Sequence, residues 1–269
     1  MIKLNFFGKM SKVIVVRGND PFQMVQKGLK FFASPSWSKI VLKPNLIVAE
    51  PPPTTTPYET VEALVKYYRE IGCETIVAEG SGWSDTFDAY QRLGYSKLTE
   101  KYEVKLVDLN QDRFEVVKNP KALFLKEFEF PSTLKGSYLV SVPVLKEHSI
   151  TRVTLSLKNM LGATLAEKAR VAKKGRFHKK LDESIVDINS YLKPSLAVID
   201  GRIAGIGGEL GASPKELDIM VFSEDLVAAD AVGASYLNYD PLSIAHLRLA
   251  QKMGLGVAEL DRIEVVEIE

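Results

Sequence analysis

Short β-branched and apolar runs alternate along the chain with stretches whose apolar positions recur every three or four residues. Lys12 to Arg17 (KVIVVR) and Lys39 to Lys43 (KIVLK) have the first texture and Phe22 to Phe32 has the second, which predicts a strand, helix, strand opening. Thr56 before Pro57, with Glu59 three residues on, predicts a capping box and a helix from Pro57 to about Ile71, ended by Gly72. Glu74 to Glu79 (ETIVAE) then reads as a strand buried on both faces. Two successive units of this kind imply a parallel sheet with right-handed crossovers. Tyr138 to Val142, Leu196 to Asp200 and Leu217 to Phe222 predict further strands, and Arg262 to Ile268 a final edge strand. Helical spacing covers Leu181 to Leu192, Leu226 to Leu237 and Ser243 to Met253. Turn signals at Asn110-Gln111-Asp112 and Lys118-Asn119-Pro120 predict hairpin-like excursions. The expected architecture is α/β: a mostly parallel, open sheet flanked by helices, with a β-rich insertion around residues 102–131. Residues 1–269 are read as a single domain, or as two intimately packed lobes meeting near residues 135–165.

Composition narrows the function classes. The 269 residues are 46% hydrophobic and 26% charged, enough to bury a full core. Opposing 35 basic with 34 acidic side chains leaves a formal charge of +1, which offers no field to hold a nucleic-acid backbone. Cys73 stands alone, so this chain by itself builds no disulfide framework and no iron–sulfur cluster or zinc site of several cysteines. Met1 to Phe7 is too short an apolar run for a secretory signal. No stretch reaches the roughly 18 apolar residues of a spanning helix. The expectation is a cytoplasmic protein with neither nucleic acid nor membrane as partner.

Several polar clusters fall at predicted strand ends, where open parallel sheets bind ligands. Lys43 and Asn45 leave the second strand. Glu79-Gly80-Ser81-Gly82-Trp83-Ser84 leaves the third, where the amides of Gly80, Ser81 and Gly82 could approach an anion or simply form a tight turn. Lys146 and His148 follow the strand that Pro143 breaks. Thr154, Lys158 and Asn159 are expected on one helical face. Arg176 and His178 close a basic run from Lys168 to Lys180, read either as a lid or as a solvated face. His148 and His178 suit acid/base work with Lys146 and Lys158, whereas His246 sits in a regular helical pattern and reads as structural. A divalent metal would need a third ligand beside the two histidines, with Asp200, Glu79 and Glu147 as candidates. Asp200 is expected at a strand's carboxyl end, before the glycine turn Gly205-Ile206-Gly207-Gly208. Asp230 reads as a cap, a salt bridge, or a partner of Lys43 or Lys158.

Six segments in order resemble the domain of unknown function 362 family: VLKPNLI at 41–47, TTPYETVEALV at 55–65, PVLKEHSITRVTLSLKNMLG at 143–162, RFHKKL at 176–181, AVIDG at 197–201 and VAADAVGASYLNYDP at 227–241. The polar positions within them are Lys43, Asn45, Lys146, His148, Lys158, Asn159, His178, Asp200 and Asp230. Many proteins of that kind carry an added ferredoxin-like region with four-cysteine repeats; with Cys73 as the one cysteine here, intrinsic electron transfer is not expected of this sequence. The clustering of these lysines and histidines points to an enzyme for a small anionic compound, carboxylate or phosphate; the alternative is a module that holds an anionic cofactor or docks a separate iron–sulfur protein in place of that region. A metal-dependent hydrolase built on His148, His178 and Asp200 is a third reading, and a homodimer is expected.

Overall fold

A computed structural model describes residues 10–167 and 172–269. Among them, ten strands share one open sheet with the main order β12-β1-β11-β10-β7-β2-β3-β4. Its first half follows the sequence pattern closely: β1 (Ser11–Arg17), α1 (Pro21–Leu29), β2 (Lys39–Pro44), α2 (Tyr58–Glu70) and β3 (Glu74–Glu79). Two short helices, α3 (Thr86–Arg92) and α4 (Lys97–Tyr102), lead to β4 (Lys105–Asp108). In the second half come β7 (Tyr138–Val142), β8 (Val144–His148), β9 (Arg152–Thr154), α5 (Ser156–Asn159), α6 (Leu181–Leu192), β10 (Leu196–Ile206), β11 (Ser213–Ser223), α7 (Leu226–Tyr236), α8 (Ala245–Lys252) and β12 (Ile263–Ile268).

The sheet is buried on both faces, and side-chain alternation divides the core in two. Val13, Val15, Ile199 and Val221 face α6, α7 and α8. Ile14, Val16, Val198 and Phe222 face α1 and α2. Strands β2, β3, β4 and β7 pair in parallel, β10 pairs in parallel with β7, and β11 runs antiparallel between β1 and β10. The expected edge strand at the carboxyl end is β12, parallel to β1. No helix among the described residues is long and apolar enough to cross a membrane.

Four local expectations are corrected. The capping box before α2 does not form. The Thr56 hydroxyl instead donates to Val142 O (2.7 Å) and accepts from Asn45 N (2.8 Å), bracing the exit of β2. The strand read as ending at Asp200 continues to Ile206, because β8 takes over from β7 as its parallel partner (Asp200 beside Val144, Gly205 beside Lys146). Gly205 and Ile206 thus belong to β10 rather than to a turn. Thr154 lies on β9, paired with Lys146 in an antiparallel hairpin, not on a helix with Lys158. Of the region around 102–131, only β5 (Phe114–Lys118) and β6 (Glu127–Pro131) form the separate hairpin; β4 joins the main sheet as an edge.

Candidate functional site

The carboxyl ends of β2 and β3, the β8/β9 hairpin, α5 and the segment 172–178 surround a cavity of about 280 Å³. Nine of the predicted catalytic and substrate-binding residues line it, namely Lys43, Asn45, Gly80, Gly82, Lys146, His148, Lys158, Asn159 and His178, together with Glu79 and Thr154. They form two layers with different chemistry.

The inner layer is closed on itself. Lys43 is 1% exposed, and its ammonium donates to Glu79 Oε2 (2.8 Å), Asn159 Oδ1 (2.7 Å) and Pro44 O (2.7 Å), which engages all three protons. Burial pulls its pKa down and Glu79 pulls it back up. Asn159 donates to Lys43 O (2.9 Å) and Ser141 Oγ (3.1 Å), so it is a clamp on the pair. Gly162 covers the pair: a Cβ there would stand 2.1 Å from Glu79 Oε1 and 2.5 Å from Lys43 Nζ. Gly80 backs onto it, since its own Cβ would meet Gly162 O at 2.8 Å.

The amides of the glycine turn are occupied as well. Gly80 N donates to Glu79 Oε1 (2.7 Å), Ser81 N to Thr86 Oγ1 (3.2 Å) and Gly82 N to Ile47 O (3.1 Å). Of these three amides only that of Gly80 meets an anion, the chain's own Glu79, and the other two go to Thr86 and Ile47, so the segment is the tight turn of the two readings rather than an open anion cradle. Ser81 is buried off the cavity, its hydroxyl donating to Leu46 O (2.6 Å).

The outer layer is open. Lys146, on β8, donates to two carbonyls, Thr54 O (2.6 Å) and Glu209 O (3.0 Å), leaving one proton without an acceptor. Burial and then neighbouring Lys158 lower its pKa to about 7. Lys158, on α5, is 7% exposed and has no hydrogen-bond or ion-pair partner among the described residues; burial lowers its pKa to about 8. Lys174 donates to Thr164 O and is lowered by burial to about 7. In two further lining residues, Asn45 Oδ1 and Thr154 Oγ1 are buried without a partner among the described residues. Groups in that state mark where a structure expects company.

The two histidines hold different tautomers. His148 Nδ1 accepts from Ile150 N (3.0 Å) and Thr151 N (3.3 Å), so it carries a lone pair and the proton sits on Nε2. Glu209 Oε2 stands 3.8 Å from this nitrogen, but an acceptor that already takes two amides is not a cation, and the contact is no ion pair. Burial and then Lys158 lower the pKa of His148 to about 3. His148 is therefore a neutral donor, which corrects its expected acid/base role. In His178, Nδ1 lies 3.2 Å from Lys174 O; a carbonyl only accepts, so Nδ1 is protonated, and in the neutral ring Nε2 carries the lone pair. Glu209 hangs from the tip between β10 and β11. Burial works to raise its pKa, but hydrogen bonds from Ser149 N (3.1 Å) and Oγ (2.8 Å) hold it at about 2.

Residues 40–235 match the family model described as a domain of unknown function, DUF362. The chain belongs to the DUF362 family. Thylakoid-associated protein sll1697 of Synechocystis sp. is 23% identical to it over 235 residues, covering 85% of this chain and 72% of that protein.

Besides Ser81, three predicted site residues of this DUF362 chain lie outside the cavity. Arg176 turns away to Glu129 (2.8 Å) and stacks on Phe177. Asp200 is held by Arg202 (2.8 Å) and by the Thr60 hydroxyl, so it does not join the histidines, and no group of three His, Cys, Asp or Glu side chains converges among the described residues. The metal set His148, His178 and Asp200 is thus not assembled. Asp230 accepts from Ser156 N (2.7 Å) and Leu157 N (2.8 Å), capping α5 and aiming Lys158 and Asn159 through the backbone rather than through an ion pair. Asp230→Ala strands two buried amides, each worth ~1–3 kcal/mol, and should lower the urea midpoint accordingly, with Asp230→Asn intermediate. An alanine variant as stable as the parent would remove Asp230 from this role. His246 is buried with Nδ1 at 3.2 Å from Asp182, in keeping with a structural part.

The DUF362 site also contains residues that the sequence pattern did not single out. Lys174 belongs to the basic run read as lid or solvated face, of which Lys168 and Arg170 lie outside the described residues. Met1 to Phe7 do too. Glu79 had a signal, an acid ending an apolar strand beside one that ends in lysine, but it was considered only as a spare metal ligand. Glu209 had none.

Proposed function

We propose that this DUF362 protein is a cytoplasmic enzyme for a small anionic compound, a carboxylate or phosphate. In this reading Lys146, Lys158 and the Nε2–H of His148 bind the charge, and His178 exchanges a proton with the substrate. One observation carries the reading. Among the described residues, Lys158 is a buried ammonium that borders a cavity with no acceptor, beside Lys146, which has a free proton and only carbonyls as partners. Burying charge this way costs several kcal/mol unless a counter-ion arrives. His178 Nε2 is the one histidine nitrogen at the cavity with a lone pair free for proton transfer.

Inorganic phosphate or a small carboxylate at a hundredfold excess over its Kd should stabilise the protein by about 2.7 kcal/mol in thermal unfolding. Lys146→Met and Lys158→Met should each abolish the effect, and His178→Ala should retain it. A parent protein indifferent to every phosphate and carboxylate tried would end this reading.

A further inference from the structure

The cavity has a cationic floor and an apolar mouth. Ile47, Trp83, Ile150 and Leu161 line the mouth, and two of them stand largely in solvent: Trp83 is 51% exposed and Ile150 66%. Large apolar side chains held out beside a pocket indicate a surface that something apolar covers. Both are carried on backbone that is fixed. Trp83 N and Gly82 N donate to Ile47 O (3.0 and 3.1 Å), Ala49 N donates to Ser84 Oγ (2.9 Å), and Lys173 Nζ donates to Ser84 O (2.7 Å), which pins the tryptophan turn from both sides. Ile150 rides on the turn whose amides close onto His148 Nδ1. The same turn thus presents a donor to the floor and a methyl-rich side chain to the mouth. Glu209, 3.8 Å from His148, sets a negative charge at the wall and opposes a second anionic group there.

Resting on the anion site proposed above, we infer that the ligand is an amphipathic anion, a single carboxylate or phosphate on an aromatic or alkyl body, head inward on Lys146 and Lys158 and body between Trp83 and Ile150. The volume of about 280 Å³ lies at the small end of ligand pockets, roughly 300–1,000 Å³, and suits one ring or a short chain rather than a nucleotide.

Trp83 reports on this directly. The chain has two tryptophans, and Trp37→Phe keeps a ring against Tyr138 while leaving Trp83 as the single indole. In that background, phenyl phosphate is expected to bind at least tenfold tighter than inorganic phosphate, and octanoate tenfold tighter than acetate, each shifting the Trp83 emission. Trp83→Ala, followed by calorimetry, should remove the advantage of the apolar anions and leave phosphate binding in place. Lys158→Met should lose all four ligands. Equal affinity for apolar and plain anions, or apolar anions that still bind to Lys158→Met, overturns the inference and leaves the anion site standing. Failure of the parent to bind any of the four overturns both. Sedimentation with phosphatidylglycerol against phosphatidylcholine vesicles separates the sources: selective pelleting assigns the anion to a lipid, and protein left in the supernatant assigns it to a soluble compound.

Discussion

Glu79→Ala is expected to cost roughly 3–5 kcal/mol, the usual consequence of removing one partner of a buried ion pair. The carboxylate accepts from Lys43 Nζ (2.8 Å), Leu46 N (2.8 Å) and Gly80 N (2.7 Å), so its loss leaves an ammonium and two amides inside the protein at once. Lys43→Met should be comparably harmful, because Glu79 then stands as the uncompensated charge. The double variant Lys43→Met/Glu79→Gln, which removes both charges and keeps the shape, should recover much of the loss. Urea unfolding with an unchanged slope measures all three. A Glu79→Ala protein within about 1 kcal/mol of the parent would mean that the inner layer does not hold the ends of β2 and β3 together. Gly162→Ala probes the same network from outside, since its new methyl has no room against Glu79 Oε1.

The second large effect is on pH. Lys146, Lys158 and Lys174 have folded-state values of about 7, 8 and 7, against 10.5 for the ordinary side chain. Between those limits the unfolded chain holds more protons than the folded one, so stability rises with pH by up to about 1.4 kcal/mol per unit for each lysine that has lost its proton. Below about pH 7 all three are charged in both states and the cost of burying them is fully present. The unliganded protein should therefore become more stable from pH 7 to 9, a window that stops short of tyrosine ionisation. Lys158→Met should be more stable than the parent at pH 7 and show a shallower rise, while losing the anion. Binding an anion at pH 8 should also draw protons onto the lysines, so calorimetric heats should vary with the ionisation enthalpy of the buffer, and vary far less at pH 6. Stability that is flat from pH 7 to 9 would mean that these lysines are paired or solvated.

Strands buried on both faces were legible because KVIVVR, ETIVAE, YLVSV and LAVID leave no polar face to place in water. Helix α6 was legible to its end residues for the corresponding reason, a clean spacing of three and four. Non-local pairing was not. LAVID gives no sign that β8 will carry its strand past Asp200, and TRVT gives none that it will fold back on Lys146. For the site, lysines and histidines at strand ends do gather in one cavity, as their positions suggested. Sequence could not say whose hydrogen bonds were already taken. Gly80, Ser81 and Gly82 look like an anion cradle until their amides are found on Glu79, Thr86 and Ile47, and Lys43 looks like Lys146 until its three acceptors are counted. Lys174 was hidden among exposed neighbours of the same type.

The tip joining β10 to β11, residues 207–212, places Glu209 at the cavity without belonging to the sheet. It holds to the rest through Gly207 N on Glu147 (2.7 Å), the Glu209 carbonyl on Lys146, and the Glu209 carboxylate on Ser149. Insertions at such loop ends are tolerated far better than changes in paired strands. With the proposed anion site in place, lengthening or shortening this tip in the present chain is expected to change the size of molecule admitted while leaving the lysines and the fold intact.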